Sequence, residues 1–257
     1  MSRRHVLFEC EGTRLAGTLD DAPGETGLLI VTGGNEVRSG AWSGQAQMAT
    51  RIAAAGYPVF RFDRRGTGDS EGPNGEFRSS APDIAAALTA FREHAPQLTR
   101  VAALGNCDAA SALMLAGGAG FDALILSNPW TIEEADAAPP PEALRAHYRQ
   151  RLGDWSAIRR LLTGQVSLRK LLRSLLGAAG PAAAPSGLAQ DMAAGIAAFG
   201  GTVRFLVADR DRTAQAFLAA WDRKDARIRH CPDSTHSYVE SHARDWLVEQ
   251  VLVVLRS

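Results

Sequence analysis

The stretch Val101-Ala102-Ala103-Leu104-Gly105-Asn106-Cys107-Asp108-Ala109-Ala110-Ser111 decides how this 257-residue chain is read. An apolar run of strand length stops at Gly105, a reactive thiol follows two places later, and a run rich in Ala, Leu and Met begins. Strand, tight turn and helix, with a nucleophile on the turn, is the layout of a nucleophile elbow. The usual spacing is G-x-S-x-G, and here it is Gly105-x-Cys107-x-Ala109. Small residues stand two places before and after the nucleophile because the strained turn has no room for larger ones. Cysteine stands where serine is usual, so the rest of the chain must say whether Cys107 is a nucleophile in its own right.

Working outward, the chain alternates strand and helix signals. Residues 4–10 and 13–20 predict a hairpin closed at Glu11-Gly12. Leu28-Leu29-Ile30-Val31 is a wholly apolar run, as a strand buried on both faces requires, and it ends in Thr32-Gly33-Gly34-Asn35. Helical spacing over 42–56 leads to a strand at 57–63, a Gly- and charge-rich loop from Asp63 to Gly72, and a helix over 79–94. After the elbow helix comes the strand 123–127. Strand signals resume at 203–207 and 226–230, and a helix over 242–255 closes the chain. Such alternation predicts an α/β fold with a mostly parallel eight-stranded sheet and helices on both faces. Residues 130–200 hold Pro139-Pro140-Pro141 and Arg-bearing amphipathic runs but no convincing strand. They are expected to form a helical cap inserted in a core made of 1–129 and 201–257.

Composition limits the function classes. The chain is 46% hydrophobic and 22% charged with a formal net charge of zero, which gives no support to nucleic-acid or membrane-surface binding as the main task. Cys10, Cys107 and Cys231 are widely spaced and odd in number, so neither a disulfide framework nor a metal set is expected. The basic start Met1-Ser2-Arg3-Arg4 is followed by only three apolar residues before Glu9, too few for a signal core. The cytoplasm is the simplest expectation, with no membrane insertion, no metal and no organic cofactor.

Ligands of open parallel sheets bind beyond the carboxyl ends of the strands, and the chemistry-bearing residues fall there. Cys107 sits at the first turn of a helix, whose N-terminus activates sulfur, and a neighbouring imidazole adds to that. Cys10 and Cys231 lie in strand-like runs and are read as structural. Among six histidines, His236 stands out because it lies in a loop between the last strand and the last helix, whereas His230 falls within a strand. Asp211 and Asp209 both follow the strand ending at Val207, and Asp211 is the favoured orienting acid. Backbone N–H groups of Asp108 and of Gly34 or Asn35 are the expected oxyanion donors.

These residues resemble the α/β-hydrolase superfamily: Asp63-x-Arg65-Gly66-x-Gly68-x-Ser70, the elbow, and the placement of Asp211 and His236. In that fold the base occupies the loop of His236, and nucleophile, acid and base follow in the order of Cys107, Asp211 and His236. More narrowly, the chain is similar to exosortase A system-associated hydrolases of type 1. That likeness rests on Gly33-Gly34 with Arg38-Ser39-Gly40, Phe62-Asp63-x-Arg65-Gly66-x-Gly68-Asp69-Ser70-Glu71-Gly72, the Cys107-Asp108-Ala109-Ala110-Ser111 elbow, and His147-Tyr148-x-x-Arg151-Leu152. It implies that cysteine is normal at this elbow, and it associates the family with bacterial exopolysaccharide production and surface-protein sorting. The resemblance to dienelactone hydrolases is confined to a Cys-His-Asp set on this fold acting on esters.

The expected activity is therefore hydrolysis of an ester or thioester through an acyl-enzyme on Cys107. Transfer of the acyl group to a sugar or amine is one alternative, and a non-catalytic binding module on the same fold is another. The partner is a small-molecule acyl substrate. Between Pro139 and Leu176, eight Arg and Lys face Glu142 and Asp154, so an anionic substrate is considered alongside a plain solvated helix face.

Overall fold

The computed structural model describes residues 2–133 and 187–257. Strands β1 (Arg3–Cys10) and β2 (Thr13–Asp20) pair antiparallel with Cys10 opposite Thr13. Glu11 and Gly12 both take positive φ, 49° and 76°, which is what a two-residue hairpin turn needs to match the strand twist. β3 (Thr26–Val31), β4 (Val59–Phe62), β5 (Arg100–Asn106), β6 (Ala123–Ser127), β7 (Thr202–Ala208) and β8 (Ile228–Cys231) complete one sheet. Its order is β1-β2-β4-β3-β5-β6-β7-β8. The first two pairings are antiparallel and the other five parallel. The expected eight-stranded, mostly parallel sheet is present.

Successive side chains of a strand point to opposite faces, and the core divides accordingly. Leu28, Ile30, Ala102, Leu104 and Ile125 meet helices α1 (Gly44–Ala54) and α6 (Ser241–Arg256). Leu29, Val31, Val101, Ala103, Leu124 and Leu126 face the other way. That second face is covered by α2 (Ala81–His94), α3 (Asp108–Leu115), α4 (Gly187–Ala197) and α5 (Arg212–Ala220). Phe60 stacks on Phe91 of α2 at 5.6 Å between ring centres, and Phe205 meets Phe217 of α5 at 5.2 Å.

Two details differ from the sequence reading. The helix expected from residue 42 starts at Gly44, because Trp42 and Ser43 hold positive φ of 47° and 60° in a 3₁₀ turn. Residues 134–186, most of the expected cap with its basic side chains, lie outside the described residues. The end of the 130–200 stretch is α4, whose Leu188, Met192 and Ile196 belong to the main core. Their i, i+4, i+8 spacing lays one apolar stripe on the body of the fold. Gly195 allows close approach, since a Cβ there would collide with the Met114 carbonyl of α3.

Candidate active site

Asn106 ends β5, one place after Gly105, and Cys107 caps α3 with φ 61° and ψ −129°. A non-glycine residue with such a φ is strained, and the surroundings must hold it there. The Cys107 N–H donates to Ser127 O at 3.0 Å and Trp130 N–H donates to Cys107 O at 3.3 Å. Ser111 Oγ donates to Trp130 O at 2.8 Å, fastening the same corner. The need for small flanking residues is steric: a Cβ on Gly105 would lie 2.6 Å from the Ala109 carbonyl carbon. Cys107 is half-buried, whereas Cys10 and Cys231 are buried. Burial pushes both of those thiols up, and Arg65 Nη2 also donates to Cys10 Sγ at 3.0 Å.

The structure brings His236 and Asp211 together. His236 Nδ1 lies 2.8 Å from Asp211 Oδ2, with the Asp211 side chain only 7% exposed. Asp211 is fixed from below as the N-cap of α5, accepting from Thr213 N–H at 3.2 Å and Ala214 N–H at 3.1 Å. The hydrogen bond to Asp211, then the influence of the Cys107 sulfur, push the His236 imidazole up to about 10 against the opposing effect of burial. Asp209 has a different partner, His230, at 2.8 Å and toward solvent. The two acids left open by the sequence thus serve two different histidines.

Sequence reasoning missed what holds the His236 loop. Asn128, just after β6, is fully buried with φ 43°. Its Nδ2 donates to Asn106 Oδ1 at 3.0 Å and to His236 O at 3.3 Å, and its Oδ1 accepts Ala208 N–H at 2.9 Å. Asn106 Nδ2 also donates to His236 O at 3.4 Å. Next to them, Ser127 and the buried Tyr238 share a hydroxyl hydrogen bond of 2.9 Å. The only signal in the sequence was a polar residue, Asn128, between an apolar strand and Pro129.

The Gly33–Gly40 segment faces the elbow. Gly33 leaves space there, since a Cβ would lie 2.6 Å from Asn106 O and 3.6 Å from the Cys107 Cβ. The Gly34 N–H, expected to serve an oxyanion, donates instead to Asp108 Oδ1 at 2.6 Å. Asp108 Oδ2 in turn lies 3.4 Å from buried Arg64 Nη2, which also donates to Gly34 O at 2.6 Å. Asn35 is exposed and its side-chain oxygen accepts from Asn74 Nδ2 at 2.7 Å. The Asp108 N–H opens α3, where the helix itself supplies no acceptor. The Asp63 motif is architectural: its buried carboxylate takes Arg38 and the Asp69 N–H, and its carbonyl accepts Ser70 Oγ at 2.7 Å. In this way the loop after β4 anchors the loop after β3. Among the described residues, no group of three or more His, Cys, Asp or Glu is arranged to hold a metal ion.

A mostly parallel sheet of this order, a strained Cys107 elbow and a His236–Asp211 pair at the carboxyl ends of neighbouring strands lead to one family. A family model described as "Alpha/beta hydrolase family" matches residues 28–250. The chain belongs to the alpha/beta hydrolase family. Solved structures agree on the fold at low identity. Alpha/beta hydrolase GrgF from Penicillium sp. sh18 superposes with TM-score 0.68 at 16% identity, covering 100% of this chain and 99% of that one. The Pyrococcus furiosus esterase PF2001 gives TM-score 0.63 at 14% identity, with 99% and 90% covered. The thioesterase domain from the curacin biosynthetic pathway gives TM-score 0.58 at 15% identity, with 98% and 100% covered. No curated protein matches the sequence. This alpha/beta hydrolase has no helix among its described residues long and apolar enough to cross a membrane.

Proposed function

We propose that the protein hydrolyses an ester or thioester through a covalent acyl-enzyme on Cys107. The observation that carries this reading is the His236 imidazole, hydrogen-bonded to Asp211 at 2.8 Å in the loop beside the Cys107 elbow. With its pKa lifted to about 10, His236 holds both ring protons at neutral pH. Nδ1–H stays on Asp211, and Nε2, which lies 3.4 Å from Asn106 Nδ2, holds the second proton. Sulfur, whose proton is the one held on Nε2, attacks the carbonyl carbon as a thiolate, the oxyanion collects backbone N–H groups of Asp108 and Gly34 or Asn35, and His236 gives its Nε2 proton to the departing alcohol or thiol. Water then adds to the thioester carbonyl with His236 taking its proton, and sulfur leaves. If a sugar hydroxyl or an amine takes the place of water, the same steps make an acyltransferase. The esterase and thioesterase among the structural neighbours support both bond types as candidates, and the elbow resemblance supports a role beside exosortase A.

One observation favours a second reading, a binding module on the same fold: Asp108 occupies the Gly34 N–H. Hydrolysis of p-nitrophenyl butyrate and of a butyryl thioester, followed with intact-protein mass, separates the two. The hydrolase reading expects turnover, a butyryl adduct on the protein, and loss of both in Cys107→Ala. Equal rates in the two proteins would sink it.

A further inference from the structure

Helices α1 and α6 leave a cavity of about 310 Å³ against one face of the sheet, at the lower end of the ~300–1,000 Å³ typical of small-molecule pockets. Its walls are mainly apolar, with Ile30 and Leu104 from the strands, Met48 from α1, and Val248 from α6. Neither Cys107 nor His236 lines it. Their chain neighbours do, Asn106 on one side and Ser237 and Tyr238 on the other. A molecule held here sits next to the candidate catalytic pair without meeting it, against both segments that carry it.

The charged groups around this cavity are Glu36, Arg51, Arg244 and Asp245, and they are unevenly partnered. Arg51 and Asp245 pair with each other at 2.9 Å. Burial pushes the Glu36 carboxyl up, and the charges it feels are those of His236 and Asp108. Arg244 is half-buried, and its guanidinium pairs with no carboxylate among the described residues. It lies instead over the Trp42 ring, 5.3 Å from the ring centre. Stacking of this kind uses the flat face of a guanidinium and leaves its in-plane fork of N–H donors open, the geometry that suits a carboxylate. Ser241, the first residue of α6, also lines the cavity, so the positive end of that helix adds to Arg244. The Trp42 indole N–H donates to Ser237 O at 3.2 Å, which links the Arg244–Trp42 stack to the loop of His236.

We propose that this cavity is a second ligand site, separate from Cys107, for a free medium-chain carboxylate. The aliphatic tail lies among Ile30, Leu104, Met48 and Val248, and the carboxylate meets the open edge of the Arg244 guanidinium. At roughly 30 Å³ for a water-sized group, the space holds about ten heavy atoms, the size of octanoate. Each half of the ligand has its own warrant: apolar walls reward the tail, and a half-buried cation without a counter-ion selects the head. The site does not depend on Cys107 being a nucleophile. If an ester is cleaved there, a free carboxylate is what hydrolysis releases, and the Trp42–Ser237 bond ties its presence to the His236 loop.

Calorimetric titration tests the site at about pH 7.5, well above the carboxylate range near 4. Octanoate is expected to bind about tenfold tighter than octan-1-ol, because a charge-assisted hydrogen bond is about twice as strong as a neutral one. Affinity should climb roughly threefold to fourfold per methylene from butanoate and level off near decanoate. Arg244→Gln should erase the preference for octanoate and leave octan-1-ol binding in place. Alkylation of Cys107 by iodoacetamide, to which the buried Cys10 and Cys231 are closed, should change octanoate affinity by less than about twofold. Failure of wild type to bind octanoate, or equal binding of octanoate and octan-1-ol, overturns the proposal without recourse to any variant. An undiminished preference in a folded Arg244→Gln overturns the assignment of the head group. Loss of octanoate binding on alkylation overturns the second site and puts the carboxylate at the catalytic centre. Failure of the hydrolase reading shows separately, as absence of ester turnover, and leaves these titrations as they stand.

Discussion

The Asp108 carboxylate and the Gly34 amide, 74 residues apart, are joined by a 2.6 Å hydrogen bond. The donor expected to meet a developing oxyanion is thus held by an anion from the residue next to Cys107. A substrate oxygen reaching Gly34 must displace a charge of its own sign. Asp108→Asn keeps the acceptor oxygen and removes the charge, and a charge-assisted hydrogen bond is about twice as strong as a neutral one. The variant should raise kcat/KM for a neutral ester by about threefold to tenfold in steady-state assays. A fall of similar size would instead make Asp108 the residue that keeps the Gly34 loop in place.

The raised imidazole of His236 fixes a pH dependence. On the proposed mechanism His236 donates its proton to the leaving group, so kcat/KM should fall as pH rises through about 10. Asp211→Asn retains a capping oxygen for α5 but loses the carboxylate whose hydrogen bond is the largest cause of the shift. That variant should move the alkaline limb to lower pH and reduce kcat/KM by roughly 10²–10⁴-fold. A pH-rate profile in which the limb does not move would remove Asp211 from the assignment.

The same group links pH to stability, and the sign follows from the direction of the shift. A histidine whose folded pKa lies above its unfolded value near 6.5 stabilises the fold fully below that value and loses the contribution as pH rises through the folded pKa. The melting-temperature gap between wild type and His236→Ala should be largest near pH 6 and fade as pH approaches 10. A gap that widens with pH contradicts the hydrogen bond to Asp211.

Asn128→Ala should cost more than an ordinary polar truncation. It leaves the Ala208 N–H without its acceptor in a buried site, an effect of about 1–3 kcal/mol, and puts alanine at φ 43°. It also removes one of the two side-chain amides that donate to the His236 carbonyl. Denaturant unfolding should show the loss, and kcat should fall more than KM rises. A stability loss with kcat intact would limit Asn128 to the fold.

Gly105→Ala tests the elbow's steric argument. The added methyl would meet the backbone of Ala109 and Ala110 at 2.6–2.7 Å, where neither wall is a flexible side chain. Overpacking of this kind costs about 1–3 kcal/mol, or roughly 2–12 °C in Tm for a domain of this size. An unchanged Tm would mean that the turn relaxes freely.

What was legible in the sequence was what neighbours along the chain specify. The elbow spacing around Cys107, the apolar runs of β3 and β6, and the positions of Asp211 and His236 after late strands are all local patterns. What was not legible depends on strand ends meeting in space. The Asp209–His230 pairing, the Gly34–Asp108–Arg64 contact and the Asn128 bonds each join segments 20 or more residues apart. The late start of α1 had a different cause: Trp42 and Ser43 carry no marker for positive φ, so the helical spacing ran through them unopposed. Helix α4 was grouped with the cap because Leu188, Met192 and Ile196 look the same in sequence whether they face a lid or the main core.

Asn128 has one more consequence. It touches the end of β5 through Asn106, the end of β7 through Ala208, and the loop of His236, which makes it a three-point mount shared by His236 and the strand end that leads into Cys107. Parts bolted to a common mount drift together. Thermal motion can then displace Cys107 and His236 as a pair while hardly altering the distance between them, and only that distance matters for handing over a proton.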